Sequence, residues 1–359
     1  MKAILSTLPA IALGAAGGGV FWALGLPLPW MLGALFSTMI ASVSGVPLNG
    51  PGMMRPAVVA VIGVLLGSRF SPEVLGHAIT WIGTLSLLLL YLLVIGLITV
   101  PWYRYLGGYD WRTAFFAGMP GGLSEMIELA EAKGARPEPV ILAHSLRIVV
   151  TIALIALWFR VILGHDVGGQ GASALGDFPA WHEAGLLLVA AVLGSLIGHR
   201  LRWPAPSFLG PMALSAALHL SGISEAAPPA ILVNAAQVLL GTVLGCRFRG
   251  VPVVALRRAG LLSLGSTVLV LAVALGFSLL MEALTGTSPA QAMLALAPGG
   301  LTEMGLIALA IHADVAFVAL HHVVRIIIVI VAAPLLFALI DRRLPGNGDQ
   351  ASGGSDTAG

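Results

Sequence analysis

Charge is scarce in this sequence. Only 9% of its 359 residues are Asp, Glu, Lys or Arg, where a soluble domain carries about a quarter. Lysine occurs twice, at Lys2 and Lys133, and cysteine once, at Cys246. A lone cysteine cannot close an internal disulfide, which excludes a disulfide-framed secreted scaffold. No run of like charge is long enough for a polybasic lipid-binding or DNA-binding tail. The chain also lacks a Walker loop, a dinucleotide fingerprint, a zinc signature and a nucleophile elbow. Together these gaps exclude a cytosolic enzyme and a nucleic-acid-binding domain, and leave an ATP-driven pump without support.

What fills the chain is apolar: 58% hydrophobic residues and a mean hydropathy of +0.98. Runs such as Trp81–Val100 and Val315–Ile340 reach or exceed the roughly 20 residues needed to cross a bilayer. The expected fold class is therefore an all-α polytopic membrane protein. Its net charge of +2 says little about partners; the scattered cations are topology signals. Lys2 followed by the apolar Ile4–Leu26 runs on without a convincing cleavage site, and is read as a first span rather than a signal peptide. Pro345–Gly359 is rich in Gly, Ser and Asp and is expected to be a disordered tail.

Self-comparison is the most informative step. A shift of 178 residues lays Met119–Met126 (MPGGLSEM) on Ala297–Met304 (APGGLTEM). The same shift lays Arg69, Phe70, His144 and Arg147 on Arg247, Phe248, His322 and Arg325. Apolar helices resemble one another by chance, but chance does not bring Glu, His and Arg into register. Each half then reads as one series: segments 4–24, 28–45, 55–69, 78–101, a broken 112–134 and 138–162, followed by 182–199, 206–222, 228–246, 259–284, a broken 289–312 and 315–340. The expected organisation is a first membrane repeat over 1–163, a polar linker at 164–180, a second repeat over 181–343 and the tail 344–359.

Pro-Gly-Gly interrupts a helix, because Pro lacks an N–H and Gly is a poor helix former. The broken segments either cross as two half-helices or dip in and return as hairpins. With hairpins, each half has five crossings and the second half is inverted. Fourteen basic residues then lie inside and only Arg69 and Arg160 outside. With full crossings the split is seven inside against nine outside. The positive-inside rule favours ten spans, two hairpins entering from opposite faces, and both termini cytoplasmic.

Ionisable groups at membrane depth are costly and face protein or a water-filled cavity. Three occur twice: Glu125 and Glu303, His144 and His322, Arg147 and Arg325. His and Arg are three apart in each copy and share a helix face. The break at Pro120, Gly121 and Gly122, and at Pro298, Gly299 and Gly300, starts a new half-helix whose first N–H groups lack partners. Those donors favour an anion, Ser124 and Thr302 add hydroxyls, and the loop carbonyls suit a cation. Broken helices at matching places in inverted halves point to a transport site near the midplane. Glu125 and Glu303 are then either ion-coupling carboxylates or caps of their own half-helices. Arg147 and Arg325 either balance those carboxylates or hold substrate. His144 and His322 are expected as hydrogen-bonded packing groups rather than proton relays. Glu128 and Glu131, facing Leu306 and Leu309 in the other copy, read as a solvated stripe. His312, Asp314, His321 and His322 match no standard metal-ligand spacing, and no metal or cofactor is expected. Gly14, Gly17, Gly18 and Gly19 permit close helix contact, and Trp30, Trp102 and Trp203 suit interfacial anchoring.

The doubled PGGL(S/T)EM motif, each followed by a His-x-x-Arg span, resembles the AbrB-type bacterial membrane proteins, which carry a duplicated AbrB domain. The resemblance covers about Gly14 to Leu339. Members are often labelled as an ammonia monooxygenase or as a regulator, which implies a membrane protein linked to regulation of gene expression, without established catalytic residues. A monooxygenase needs a metal or flavin site, and none is visible in the sequence. A DNA-binding regulator needs a soluble basic domain, and no cytoplasmic segment is long enough to fold alone. The resulting expectation is a secondary transporter or exporter of a small solute, anionic solutes included, coupled to protons or sodium and not an enzyme. Its partners are the solute, the coupling ion and the lipid bilayer, with no nucleic acid and with room for a homo-oligomer. A membrane-embedded ligand sensor that regulates gene expression is the alternative.

Overall fold

The computed structural model describes residues 5–71, 81–165 and 178–341, apart from the side chain of Ser124. The expected tail 344–359 and most of the expected linker 164–180 lie outside the described residues. Among those residues the fold is fourteen α-helices with no strand. The first half supplies α1 (Leu8–Ala23), α2 (Pro29–Val43), α3 (Arg55–Gly67), α4 (Trp81–Pro101), α5 (Trp111–Gly118), α6 (Leu123–Ala132) and α7 (Pro137–Leu157). The second supplies α8 (Trp181–Arg200), α9 (Pro206–Leu220), α10 (Ala230–Cys246), α11 (Val253–Thr285), α12 (Pro289–Leu296), α13 (Leu301–Ala310) and α14 (Val315–Asp341). The two series match element for element, as the 178-residue repeat requires.

Local chemistry sets the helix starts. Pro opens α2, α7, α9 and α12, where its missing N–H costs nothing and its fixed φ suits the first turn. The residues before α2 and α9, Leu28 and Ala205, are left-handed with φ of 44° and 45°. An L side chain adopts that conformation only where its surroundings enforce it, and both repeats enforce it at the same sharp entry. α11 begins six residues before the expected segment. Its first turns carry Arg257 and Arg258, whose long stems let the charges leave an apolar helix; Arg258 donates to the Gly107 carbonyl at 2.9 Å.

Among the described residues, five helical stretches are long and apolar enough to cross a bilayer: Trp81–Leu106, Pro137–Ile162, Trp181–Arg200, Val253–Thr285 and Val315–Asp341. The first two continue past α4 and α7 as short, wider π-helical turns. Leu8–Ala23, Pro29–Val43, Gly52–Gly67 and Ala230–Cys246 are shorter apolar helices. Sixteen residues of helix rise about 24 Å, less than the roughly 30 Å of a hydrocarbon core.

Glycine decides the packing of the short helices. A Cβ on Gly17 would strike the Gly33 carbonyl, and one on Gly194 would strike the Gly210 carbonyl, so α1 lies against α2 as α8 lies against α9. The next contacts exchange halves: α2 packs on α10, and α9 on α3. Gly241 and Gly245 of α10 meet the backbone of α2, while their counterparts Gly63 and Gly67 of α3 meet the backbone of α9. Ser215 of α9 adds a hydrogen bond to the Val64 carbonyl at 2.9 Å. Gly14 and Gly18 are also close-contact positions, against Thr242 and Trp30, whereas Gly19 has nothing within reach.

The long helices α4 and α11 occupy equivalent places in the two halves and pack together in opposite directions. Gly83 lies by Thr285, the Tyr91 and Phe277 rings meet edge to face at 5.5 Å, and Tyr103 bonds Ser266 at 3.2 Å. Trp102 is built into this seam: its ring lies over Gly265 and its indole N–H donates to the Leu262 carbonyl at 3.0 Å. Its apolar body and polar tip serve helix packing rather than anchoring alone.

Substituting Gly241→Val or Gly63→Val forces backbone against backbone and is expected to cost at least the roughly 1–3 kcal/mol typical of overpacking. Gly19→Val is expected to leave stability unchanged. Thermal unfolding midpoints of the three variants in one detergent check this.

Candidate functional site

Each half carries one helix–break–helix unit, α5–α6 and α12–α13, and in both the chain turns back on itself. Arg112 at the start of α5 donates to the Lys133 carbonyl beyond the end of α6 at 3.3 Å. The Gln291 side chain, at the start of α12, accepts from the Asp314 N–H beyond α13 at 3.3 Å. The outer ends of each unit are thus tied and the break forms the tip. Asp110 caps α5, accepting from the Thr113 N–H at 3.0 Å and pairing with Arg136 at 3.3 Å. Burial raises the Asp110 carboxyl, but the bonds from Thr113 and the charge of Arg136 outweigh it and hold the group below its ordinary range.

The tip motif has a role for each small residue. Pro120 and Pro298 are buried at the break. Gly121 and Gly299 have no Cβ because the side chains of Met126 and Met304 fold into that space. Gly122 and Gly300 have none because the carboxylates of Glu125 and Glu303 lie against them. These two glycines are the N-caps of α6 and α13, and each glutamate stands in the first turn. A carboxylate folded over a helix N-terminus faces free N–H groups and the positive end of the helix dipole. Thr302 donates its hydroxyl to Glu303 at 2.7 Å. The Ser124 side chain lies outside the described residues.

The His-x-x-Arg pairs clasp the tips. In the first half, Arg147 donates to the carbonyls of Met119 at 3.0 Å and Gly121 at 3.3 Å. His144 bonds the Phe116 carbonyl through Nε2 at 2.8 Å, and its Nδ1 meets the Arg147 guanidinium at 2.9 Å. The second half repeats this: Arg325 to Ala297 at 2.5 Å and Gly299 at 3.2 Å, His322 Nε2 to Leu294 at 2.9 Å, and Nδ1 to Arg325 at 3.0 Å. A guanidinium only donates, so Nδ1 must accept, and the ring proton sits on Nε2 facing the carbonyl. Both histidines are therefore neutral clasp members. Protonating Nδ1 would break the bond to arginine.

The structure brings the fourteen sequence-predicted positions together as two tips, but it pairs them differently from one expectation. Among the described residues neither Arg147 nor Arg325 makes an ion pair with Glu125 or Glu303, whereas Arg112 pairs with Asp341 and Arg136 with Asp110. The arginines bond the carbonyl end of each break, and the glutamates lie beside its N–H end. Glu303 is buried and Glu125 half-buried. Glu128 and Glu131 are exposed. His321 bonds Phe317 and Thr84, and no group of three or more His, Cys, Asp or Glu gathers to hold a metal among the described residues.

One further residue joins the site. Tyr91 of α4 is fully buried, its hydroxyl has no hydrogen-bond partner among the described residues, and it lies within electrostatic reach of both Arg325 and Arg147. The Nε–H of each arginine is likewise buried and unpartnered. Three buried polar groups from three helices, within electrostatic reach of one another, thus have no hydrogen-bond partner among the described residues. The sequence held one clue, a lone hydroxyl in the run Leu87–Val94, but Tyr91 maps onto Leu269 in the other half, so self-comparison passed over it.

An all-helical, membrane-type protein with two clasped helix breaks is the class this fold and site define. The chain belongs to the family described as Transition state regulatory protein AbrB, whose model matches residues 30–341. It is similar to the protein named "Uncharacterized protein YhjN" of Bacillus subtilis (strain 168), with 27% identity over 365 residues covering 94% of each chain. It is also similar to "Putative regulator AbrB" of Escherichia coli (strain K12), with 25% identity over 327 residues, 90% of this chain and 93% of that one.

Arg147→Met or Arg325→Met strands buried carbonyls, each worth about 1–3 kcal/mol when left unpaired. Either variant is expected to lower the thermal midpoint in detergent well below that of Glu128→Gln, an exposed control.

Proposed function

We propose that this protein is a secondary transporter or exporter of a small solute, working by alternating access between two halves inverted in a bacterial inner membrane. The observation that carries the reading is the pair of clasped tips, whose arginines and the neighbouring Tyr91 keep buried polar groups without partners among the described residues. Broken helices at matching places in two repeats are where carriers of this kind hold substrate and coupling ion. The opposed directions of α4 and α11 support inversion, since equivalent helices run antiparallel only about an axis across the helices. The contacts that join Gly107 to Arg258, Asp110 to Arg136 and Arg112 to Asp341 gather basic residues at one end. That end is the cytoplasmic one under the positive-inside rule. In this topology there are ten crossings, with both tips re-entrant.

The charges suggest the coupling. Each tip carries one arginine and one glutamate, and with both glutamates ionised the pair of tips sums to zero. Protonating a glutamate, or seating sodium on it, leaves a positive centre with open N–H donors from Arg147 and Arg325 and a hydroxyl from Tyr91. Such a centre takes an anionic group, so cation and anion move together. The chain in this reading moves its solute without transforming it.

The name of the Escherichia coli relative favours a second reading, a ligand sensor that acts on gene regulation through a partner. Flux separates the two. Proteoliposomes loaded with candidate organic anions are expected to show uptake driven by a proton or sodium gradient. Uptake should fall at least tenfold in Glu303→Gln and Tyr91→Phe while both remain folded; binding without flux would sink the carrier and leave the sensor. Topology has its own test. In a Cys246→Ala background, Ser124→Cys should react with impermeant reagents chiefly from the cytoplasm and Thr302→Cys from outside. Equal sidedness would overturn the inversion.

A further inference from the structure

A cavity of about 870 Å³ opens at the end of the fold where the basic residues gather, between the start of α7, the turn after α10 and the start of α11. Four arginines line it, Arg136, Arg247, Arg249 and Arg258, against a single carboxylate, Glu138. Three have structural bonds: Arg136 to Asp110, Arg249 to Leu48 and Asn49, and Arg258 to Gly107. The half-buried Arg247 guanidinium has no hydrogen bond or ion pair among the described residues, and Arg55 and then Glu303 act on it only through their charges. Ser145 also lines the cavity. It is 3% exposed and its hydroxyl has no partner. The remaining wall is largely apolar, with Leu142, Phe248 and Val254.

The repeat supplies a control within the molecule. The equivalent place in the other half is also a cavity, of about 370 Å³, with Val323 where Ser145 stands, Ala316 where Glu138 stands and Phe70 where Phe248 stands. Its described lining has no charged residue. The architecture makes a hollow in each half, and among the described residues only one of them is lined by charge.

We propose that the arginine-lined cavity binds a phosphate group carried on an apolar body. Four arginines against Glu138 and against Asp110, the partner of Arg136, leave a net positive charge, which suits a group with several acceptor oxygens, and guanidinium forks match phosphate. The volume far exceeds a bare phosphate and falls in the range of sites for larger ligands, and the apolar wall takes the rest of the molecule. Basic pockets between membrane helices on the cytoplasmic side are suited to acidic lipid headgroups; a soluble organophosphate offers the same chemistry.

The experiment uses the full chain in phosphatidylcholine nanodiscs and reads thermal stabilisation and ligand retention by native mass spectrometry. Phosphatidylglycerol is added to one series and phenyl phosphate to another. Stabilisation by phosphatidylglycerol alone assigns the site to bilayer lipid, and stabilisation by phenyl phosphate assigns it to a soluble ligand. In either case Arg247→Gln should weaken binding about tenfold, the loss of one strong charge-assisted contact, while Arg69→Gln, the equivalent exposed position, leaves it unchanged. Val254→Trp narrows the mouth from a position that is 82% exposed and should weaken binding similarly even if Arg247→Gln does not fold. No stabilisation by either ligand, or wild-type binding by Val254→Trp, overturns the proposal.

Discussion

A helix cannot be broken inside a low-dielectric interior unless both faces of the break find partners, and the rest of this fold is arranged around meeting that demand. Four residues, 119–122 or 297–300, separate the half-helices. On one side carbonyls are left over, and on the other N–H groups. Water cannot be relied on at such depth. Each repeat answers with two side chains of opposite character: an arginine with several donors for the carbonyls, and a glutamate for the N–H end. Histidine holds the arginine in place, because its Nδ1 accepts where every other nearby group would compete for the same carbonyl. The spacing is the same in both copies, down to the 28 residues between each histidine and its carbonyl partner.

A symmetric frame carries asymmetric contents. Glu303 is buried and Glu125 is half-buried, Tyr91 has a leucine as its equivalent, and only one of the paired hollows is lined by arginines. Duplication explains the frame, since glycine contacts such as Gly63 on Phe208 and Gly241 on Met31 must repeat if the helices are to pack alike. It does not explain the contents. In the inverted arrangement proposed above, equivalent residues would lie at opposite ends, where charge has different consequences: cations are tolerated at one end and selected against at the other. Divergence at Arg136 and Asp314, which are equivalent positions, is the kind that such a placement produces.

Much of this was legible in the sequence, and the reasons differ by feature. Helix number and order follow from apolar runs bounded by Pro and Gly, and the two breaks follow from Pro-Gly-Gly. The His-x-x-Arg pairs stood out because polar residues recur in register. What stayed hidden is pairing. Sequence spacing placed Arg147 near Glu125 and offered a salt bridge, but backbone carbonyls carry no residue code and compete for the same guanidinium. The early start of α11 was hidden because Arg257 and Arg258 look like a boundary until their snorkelling is seen. Trp102 looked like an anchor, and its true neighbour, Gly265, is 163 residues away. Tyr91 lacked a twin, so a method built on repetition could not find it.

The separation of roles at the tips bears on how such a site can work. If Arg147 were salt-bridged to Glu125, titrating the glutamate would free the arginine and loosen the tip. Each group instead answers a different end of the break, and the bonds that hold Arg147 to Met119 and Gly121 do not involve the glutamate. The helix dipoles mediate between the two ions: the carbonyl end of α5 and the N–H end of α6 each carry about half a charge, so arginine and glutamate are balanced locally without touching. In the carrier proposed above, a tip held together without an ion pair would suit alternate loading of a cation and an anion. The same tip with a direct ion pair would be a latch.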